Sequence, residues 1–129
     1  KIAMLYYLIL TDNLKRGDIL FWDEPDSSLN PKLIVSLTKA LVSLVEMGIQ
    51  VFVTSHNLFF MHEVDLSVKK IGKKFPAKFF SLINENKNVV IEEGNKLSDL
   101  KTIVSLDEAL SQDDREQEIL LKQEHSNND

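Results

Sequence analysis

Asp18-Ile19-Leu20-Phe21-Trp22-Asp23-Glu24-Pro25-Asp26-Ser27-Ser28-Leu29-Asn30-Pro31 decides how this chain is read. Ile19 to Trp22 is an unbroken apolar run, long enough for one strand and too short for an ordinary helix. No polar residue alternates within it, as in a parallel strand covered on both faces. Asp23 and Glu24 follow at once, where the carboxyl end of that strand reaches solvent. In open α/β sheets this edge is where ligands sit. Two adjacent carboxylates there call for a neutralising cation, and Mg²⁺ is the usual one.

Upstream, Ile2 to Leu10 is apolar on nearly every side, so residues 1–14 are expected as a helix deep in an α/β layer. Nine such residues cannot span a bilayer, and no small-residue cleavage site follows them. Asn13 and Gly17 mark the exit from the helix. Downstream, Asn30 and Pro31 form a helix start as N-cap and first helical residue. Leu33, Leu37, Ala40, Leu41 and Leu44 then recur at helical spacing, with Lys32, Ser36, Lys39 and Ser43 opposite. Gly48 supplies the stop, and Ile49 to Val53 reads as a second buried strand. The β-α-β order implies parallel strands joined by a right-handed crossover.

A third helix is expected from about Asn57 to about Asp65. Residues 66–78 read as less regular and carry Lys69, Lys70, Lys73, Lys74 and Lys78. Strands near Lys78 to Ile83 and Asn88 to Glu92, separated by Asn84-Glu85-Asn86-Lys87, read as an antiparallel hairpin at the sheet edge. Residues 106–123 suit a weakly amphipathic helix through Leu106, Leu110 and Ile119-Leu120-Leu121. Glu124 to Asp129 reads as a disordered polar end.

The run closing on Asp23-Glu24-Pro25, with Ser27 to Pro31 behind it and Val51-Phe52-Val53-Thr54-Ser55-His56-Asn57 one helix later, resembles the ABC-type ATPases. That group includes the "AAA family" ATP-binding proteins of bacteria. The three blocks are similar to its Walker B strand, D-loop and switch-histidine (H-loop) segment. The resemblance implies a P-loop NTPase-like fold and ATP with Mg²⁺ as cofactors. It implies that Asp23 holds the metal, that Glu24 is the general base on the attacking water, and that His56 contacts the γ-phosphate. Ser28 and Asn30 would contact nucleotide across a head-to-tail homodimer. The family more often has Asp where this sequence has Asn30.

No G-x-x-x-x-G-K-[ST] phosphate loop occurs in these residues. Of Gly17, Gly48, Gly72 and Gly94, only Gly72 precedes a lysine. Residue 67 is Ser where the first glycine belongs, and Lys74 stands where Ser or Thr is required. The Ser-Gly signature that precedes Walker B in the family is also absent, and the first residue is Lys rather than Met. The expectation is therefore the C-terminal portion of an ATPase (residues 1–106) with an acidic helical or disordered tail (residues 107–129), completed by a Walker A half. The alternative is a non-catalytic interaction and dimerisation module of ATPase fold that pairs with a complete ATPase subunit. A phosphoacceptor built on Asp23 with Thr54 or Ser55 lacks the acidic pair on an earlier strand that such chemistry needs.

Across 129 residues, 43% are hydrophobic and 27% charged, ordinary for one soluble globular domain. The net charge of −5 is uneven. Residues 107–129 carry eight acids against two bases, which leaves residues 1–106 at +1. General nucleic-acid affinity is disfavoured, although the lysine cluster with Phe75, Phe79 and Phe80 could contact a nucleic acid. Phenylalanines turned into the core are the simpler reading. There is no cysteine, so neither disulfides nor a thiolate metal site can form, which fits a cytoplasmic protein without membrane association. His56 and His62 are six apart, outside the i, i+4 spacing of paired helical metal ligands. DNA processing, phage defence and transport are all open as settings for the ATP cycle, with DNA or a defence protein as partner; transport fits least, because Trp22 to Pro31 and the trailing hairpin resemble the soluble bacterial group more.

Overall fold

The computed structural model describes residues 2–72, 76–85 and 87–126, with side chains for 3–72, 76–85 and 87–120. Four helices and four strands appear in the order α1 (Ile2–Leu10), β1 (Ile19–Asp23), α2 (Pro31–Glu46), β2 (Gln50–Thr54), α3 (Leu58–Ile71), β3 (Phe79–Glu85), β4 (Asn88–Gly94) and α4 (Val104–Ser126). A short 3₁₀ turn, Leu97–Asp99, precedes α4. Strands β1 and β2 pair in parallel, Ile19 opposite Gln50 through Asp23 opposite Thr54. Strands β3 and β4 pair antiparallel. The architecture is thus mixed α/β, with a parallel core pair and an antiparallel hairpin.

Local chemistry sets the ends of α2. Asn30 is extended, and its Oδ1 accepts the Leu33 N–H at 3.0 Å, satisfying one of the donors that a helix start leaves over. At the other end Gly48 takes φ 88°. Its N–H reaches Val45 O at 2.9 Å, and the Ile49 N–H reaches Leu44 O at 3.1 Å, the paired bonds of a Schellman turn. A Cβ on Gly48 would also meet Arg16 Cγ at 2.9 Å. The turn therefore delivers Ile49, 2% exposed, straight into the core.

That core lies on one side of the β1–β2 pair. Leu5, Leu14, Trp22, Ile34, Leu37, Leu41, Leu44, Ile49 and Phe60 form it, with Leu20, Val51 and Val53 packed against them. The other side of the pair is open. Ile19, Phe21 and Phe52 are 55%, 74% and 42% exposed, and the rings of Phe21 and Phe52 stack on each other at 4.9 Å. The expectation that both faces are covered fails within these residues, because the described residues provide helices for one face only. For the same reason α1 is not deep in a layer. It ends at Leu10, buries Leu5, and leaves Met4, Tyr6, Tyr7 and Leu10 exposed.

Two further expectations change. Helix α3 continues past Asp65 to Ile71, so residues 66–71 are helical rather than irregular. Phe60, Val64, Val68 and Ile71 keep a helical spacing through this stretch, and the Asp65–Lys69 pair at i, i+4 supports it. The hairpin is also not the edge of the parallel sheet but a separate two-stranded sheet. It is fastened to the rest by polar ties: Asp65 Oδ1 accepts the Leu97 N–H at 3.2 Å, and Glu92 Oε2 accepts the N–H groups of Lys101 and Thr102 at 3.0 and 3.1 Å. Helix α4 begins at Val104 and runs to Ser126, so 124–126 continue the helix; residues 127–129 lie outside the described ones. Among the described residues no helix is long and apolar enough to cross a membrane.

Candidate functional site

Register carries the first acid to its place. Asp23 ends β1 directly opposite Thr54, which ends β2, and the Thr54 hydroxyl donates to Asp23 Oδ1. The chain then leaves the sheet through Glu24, whose φ of 42° lies in the left-handed region that side chains rarely adopt. The Glu24 N–H is held by Thr54, at 3.1 Å to the carbonyl and 3.2 Å to the hydroxyl. Non-glycine residues in this region store strain and gather at ligand sites. Here the turn aims the Glu24 side chain across the strand ends at the loop following β2.

His56 stands in that loop. Its Nδ1 lies 2.7 Å from Glu24 Oε1. With Nδ1 turned to the carboxylate, Nε2 is the second polar position of the imidazole. The next residue, Asn57, starts α3: its Oδ1 accepts the N–H groups of Phe59 and Phe60 at 3.0 and 3.4 Å. Its own N–H donates to Ser55 Oγ at 3.0 Å. The two side chains of the acid–imidazole pair are 45% and 77% exposed, and such a pair contributes only about 0–1 kcal/mol to folding. Stability alone therefore does not account for a strained Glu24 held against His56.

Asp23, Glu24 and His56 are therefore brought together. Ser28, at φ 67°, and Asn30 lie on the connection between Glu24 and α2. That connection is tightened by bonds from the Ser27 N–H to Glu24 O at 3.2 Å and from the Leu29 N–H to Asp26 O at 3.0 Å. Asn30 Oδ1 is already taken by the α2 cap, so a contact from this residue to a ligand would come from its Nδ2.

Three residues were not singled out from sequence for the parts they play here. Thr54 bonds both Asp23 and Glu24, and the parallel register is its only sequence signal. Asp26 is 4% exposed, and its buried Oδ1 has no hydrogen-bond partner among the described residues; a third acid within four residues was the visible hint. Ser105 donates to His56 O at 2.8 Å from a distance of 49 residues, with nothing local to announce it. His62 lies on α3, where its charge, with Lys69 and the Leu97 N–H, bears on Asp65.

The lysine cluster divides. Lys69 pairs with Asp65 at 2.5 Å and Lys78 with Glu93 at 3.2 Å. Lys73, Lys74 and Phe75 lie outside the described residues. Phe80 is 52% exposed rather than turned into the core, because the hairpin stands apart from the main sheet.

Comparison with known proteins completes the picture. No curated protein and no solved structure matches this chain. Residues 1–62 match the family model described as "AAA domain, putative AbiEii toxin, Type IV TA system". The matched segment holds β1, the Asp23-Glu24 turn, β2 and His56, and it supports an AAA/P-loop ATPase-like family, that is, a nucleotide-binding ATPase-like module.

Proposed function

We propose that the chain is the hydrolytic portion of a Mg²⁺-dependent ATPase of the ABC type. It would supply the metal-binding acid, the general base and the phosphate-contacting histidine, while a Walker A-bearing half cradles the phosphates. The observation that carries this reading is the 2.7 Å Glu24–His56 pair beside the Asp23–Thr54 contact. Both stand at the carboxyl ends of adjacent parallel strands, where α/β sheets bind ligands.

The donor set suits magnesium. Mg²⁺ uses one or two carboxylates and leaves its other positions to water and substrate phosphates. Asp23, with the Thr54 hydroxyl beside it, would hold the ion. Bound there, the ion would supply positive charge against the phosphates.

The chain's own groups do the rest. Glu24 takes the proton of the attacking water, and the His56 Nδ1–H fixes the direction of its carboxylate. His56 Nε2 is the ring position left to meet a terminal phosphate oxygen. Ser28, and Asn30 through its Nδ2, face the nucleotide of the opposite subunit in a nucleotide-dependent homodimer. The open face of Ile19, Phe21 and Phe52 runs along the same two strands that end in Asp23 and Thr54. Whatever covers it therefore also abuts the site, which suits a completing ATPase half.

The test co-expresses the chain with the coding region upstream of Lys1 and measures phosphate release with ATP and Mg²⁺. Turnover that falls at least a hundredfold in Glu24→Gln, in line with the usual contribution of a general base of about 10²–10⁴, supports the proposal. Turnover indifferent to that substitution points instead to an interaction module beside a complete ATPase subunit.

A further inference from the structure

Every described side chain of α4 is exposed except one. Val104 and residues 106–120 face solvent, and Ser105 alone is half-buried. A helix of 23 residues is about 34 Å long, so α4 projects from the domain and is held near its beginning. The holding contact is the Ser105 hydroxyl, which donates to His56 O at 2.8 Å. The segment leading into α4 is itself pinned, to β4 through Glu92 and to α3 through Asp65. Ser105 therefore arrives at His56 from an anchored direction.

We propose that Ser105 is a positioning residue for His56, through which the C-terminal segment fixes the imidazole against Glu24. His56 lies in the short stretch between β2 and α3, where neither ladder nor helix takes its carbonyl. Thr54 is fixed by the β1–β2 pairing, and Asn57 by its caps. The peptide between His56 and Asn57 is held from both sides, its N–H by Ser55 Oγ and its oxygen by Ser105. A site group must be held to within about 0.5 Å of its working position to be useful, and the peptide that Ser105 holds begins at the Cα that carries the His56 ring. The inference rests on the reading of His56 as a site residue, and its test requires no nucleotide.

The experiment is nuclear magnetic resonance on the 129-residue chain without ligand, comparing the native protein with Ser105→Ala, Ser105→Thr and Leu110→Ala. Leu110 is an exposed residue of the same helix, and Trp22 fluorescence during unfolding reports whether each variant is folded. Ser105→Ala is expected to move the His56 carbonyl ¹³C resonance upfield. It is also expected to shift the ring ¹⁵N resonances from the Nδ1–H form toward the Nε2–H form of an unrestrained histidine. Ser105→Thr, which keeps the hydroxyl, restores both, and Leu110→Ala changes neither. Ring resonances in Ser105→Ala identical to the native ones overturn the proposal. So do a failure of Ser105→Thr to restore them and an equal change in Leu110→Ala. A negative result in the turnover experiment would leave this outcome unaffected, so the two proposals fail separately.

Discussion

Replacing Asp65 by alanine removes the one carboxylate that ties α3 to the segment after the hairpin. The residue is 4% exposed and holds two partners, Lys69 Nζ at 2.5 Å and the Leu97 N–H at 3.2 Å. The Lys69 side chain is 51% exposed; it regains water when the acid is lost, so its share is close to that of a surface pair, about 0.5 kcal/mol. Leu97 is 4% exposed, so its N–H is left without an acceptor, at about 1–3 kcal/mol. The expected destabilisation at pH 7 is therefore about 1.5–3.5 kcal/mol, most of it from the backbone N–H. Burial of Asp65 pushes its pKa up. The Lys69 hydrogen bond, the Leu97 N–H and the charges of Lys69 and His62 outweigh that and hold it below its ordinary value of 3.8. A carboxyl lowered in the folded state stabilises above its unfolded pKa and loses that contribution as pH falls through the folded one. The difference between native protein and Asp65→Ala should be full above about pH 5 and shrink progressively below 3.8. Urea unfolding followed by Trp22 fluorescence at pH 7, 5, 4 and 3, with hydrogen exchange of the Leu97 amide alongside, measures it. A difference at pH 7 below about 0.5 kcal/mol, within the range of an ordinary surface substitution, would refute the reasoning. So would a difference that grows as pH falls.

Gly48→Ala should destabilise by about 1–2 kcal/mol, because φ is 88° and the new Cβ meets Arg16 Cγ; a lowered urea midpoint with unchanged slope is the expected signature. Asn57→Ala removes the α3 cap and should cost about 0.5–2 kcal/mol, read as faster amide exchange at Phe59 and Phe60. Phe21→Ser with Phe52→Ser, both on the open sheet face, should leave the unfolding midpoint of the isolated chain nearly unchanged. The same pair should weaken association with a Walker A half by at least tenfold in a titration. Equal loss of stability in the isolated chain would show that this face is part of the chain's own core.

What could be read from the residues in order is what local chemistry decides. The run Ile19 to Trp22, the Asn30-Pro31 start, the Gly48 stop and the second apolar run each act within a few residues, and β1, α2 and β2 formed where they indicate. Asp23, Glu24 and His56 could be named because the short blocks that carry them resemble those of ABC-type ATPases, and such a resemblance lies in residues adjacent in sequence. The misreadings share a different cause. Whether a strand is covered on both faces, whether a hairpin joins the main sheet, and whether an apolar helix lies inside depend on what else is available to pack against, which no single stretch contains. The closing of Glu24 onto His56, the Thr54 hydrogen bonds and the Ser105 contact join residues 30 to 49 positions apart. Such pairings cost chain entropy to form, and they exist only because the parallel register and the pinned C-terminal segment have already brought those side chains together.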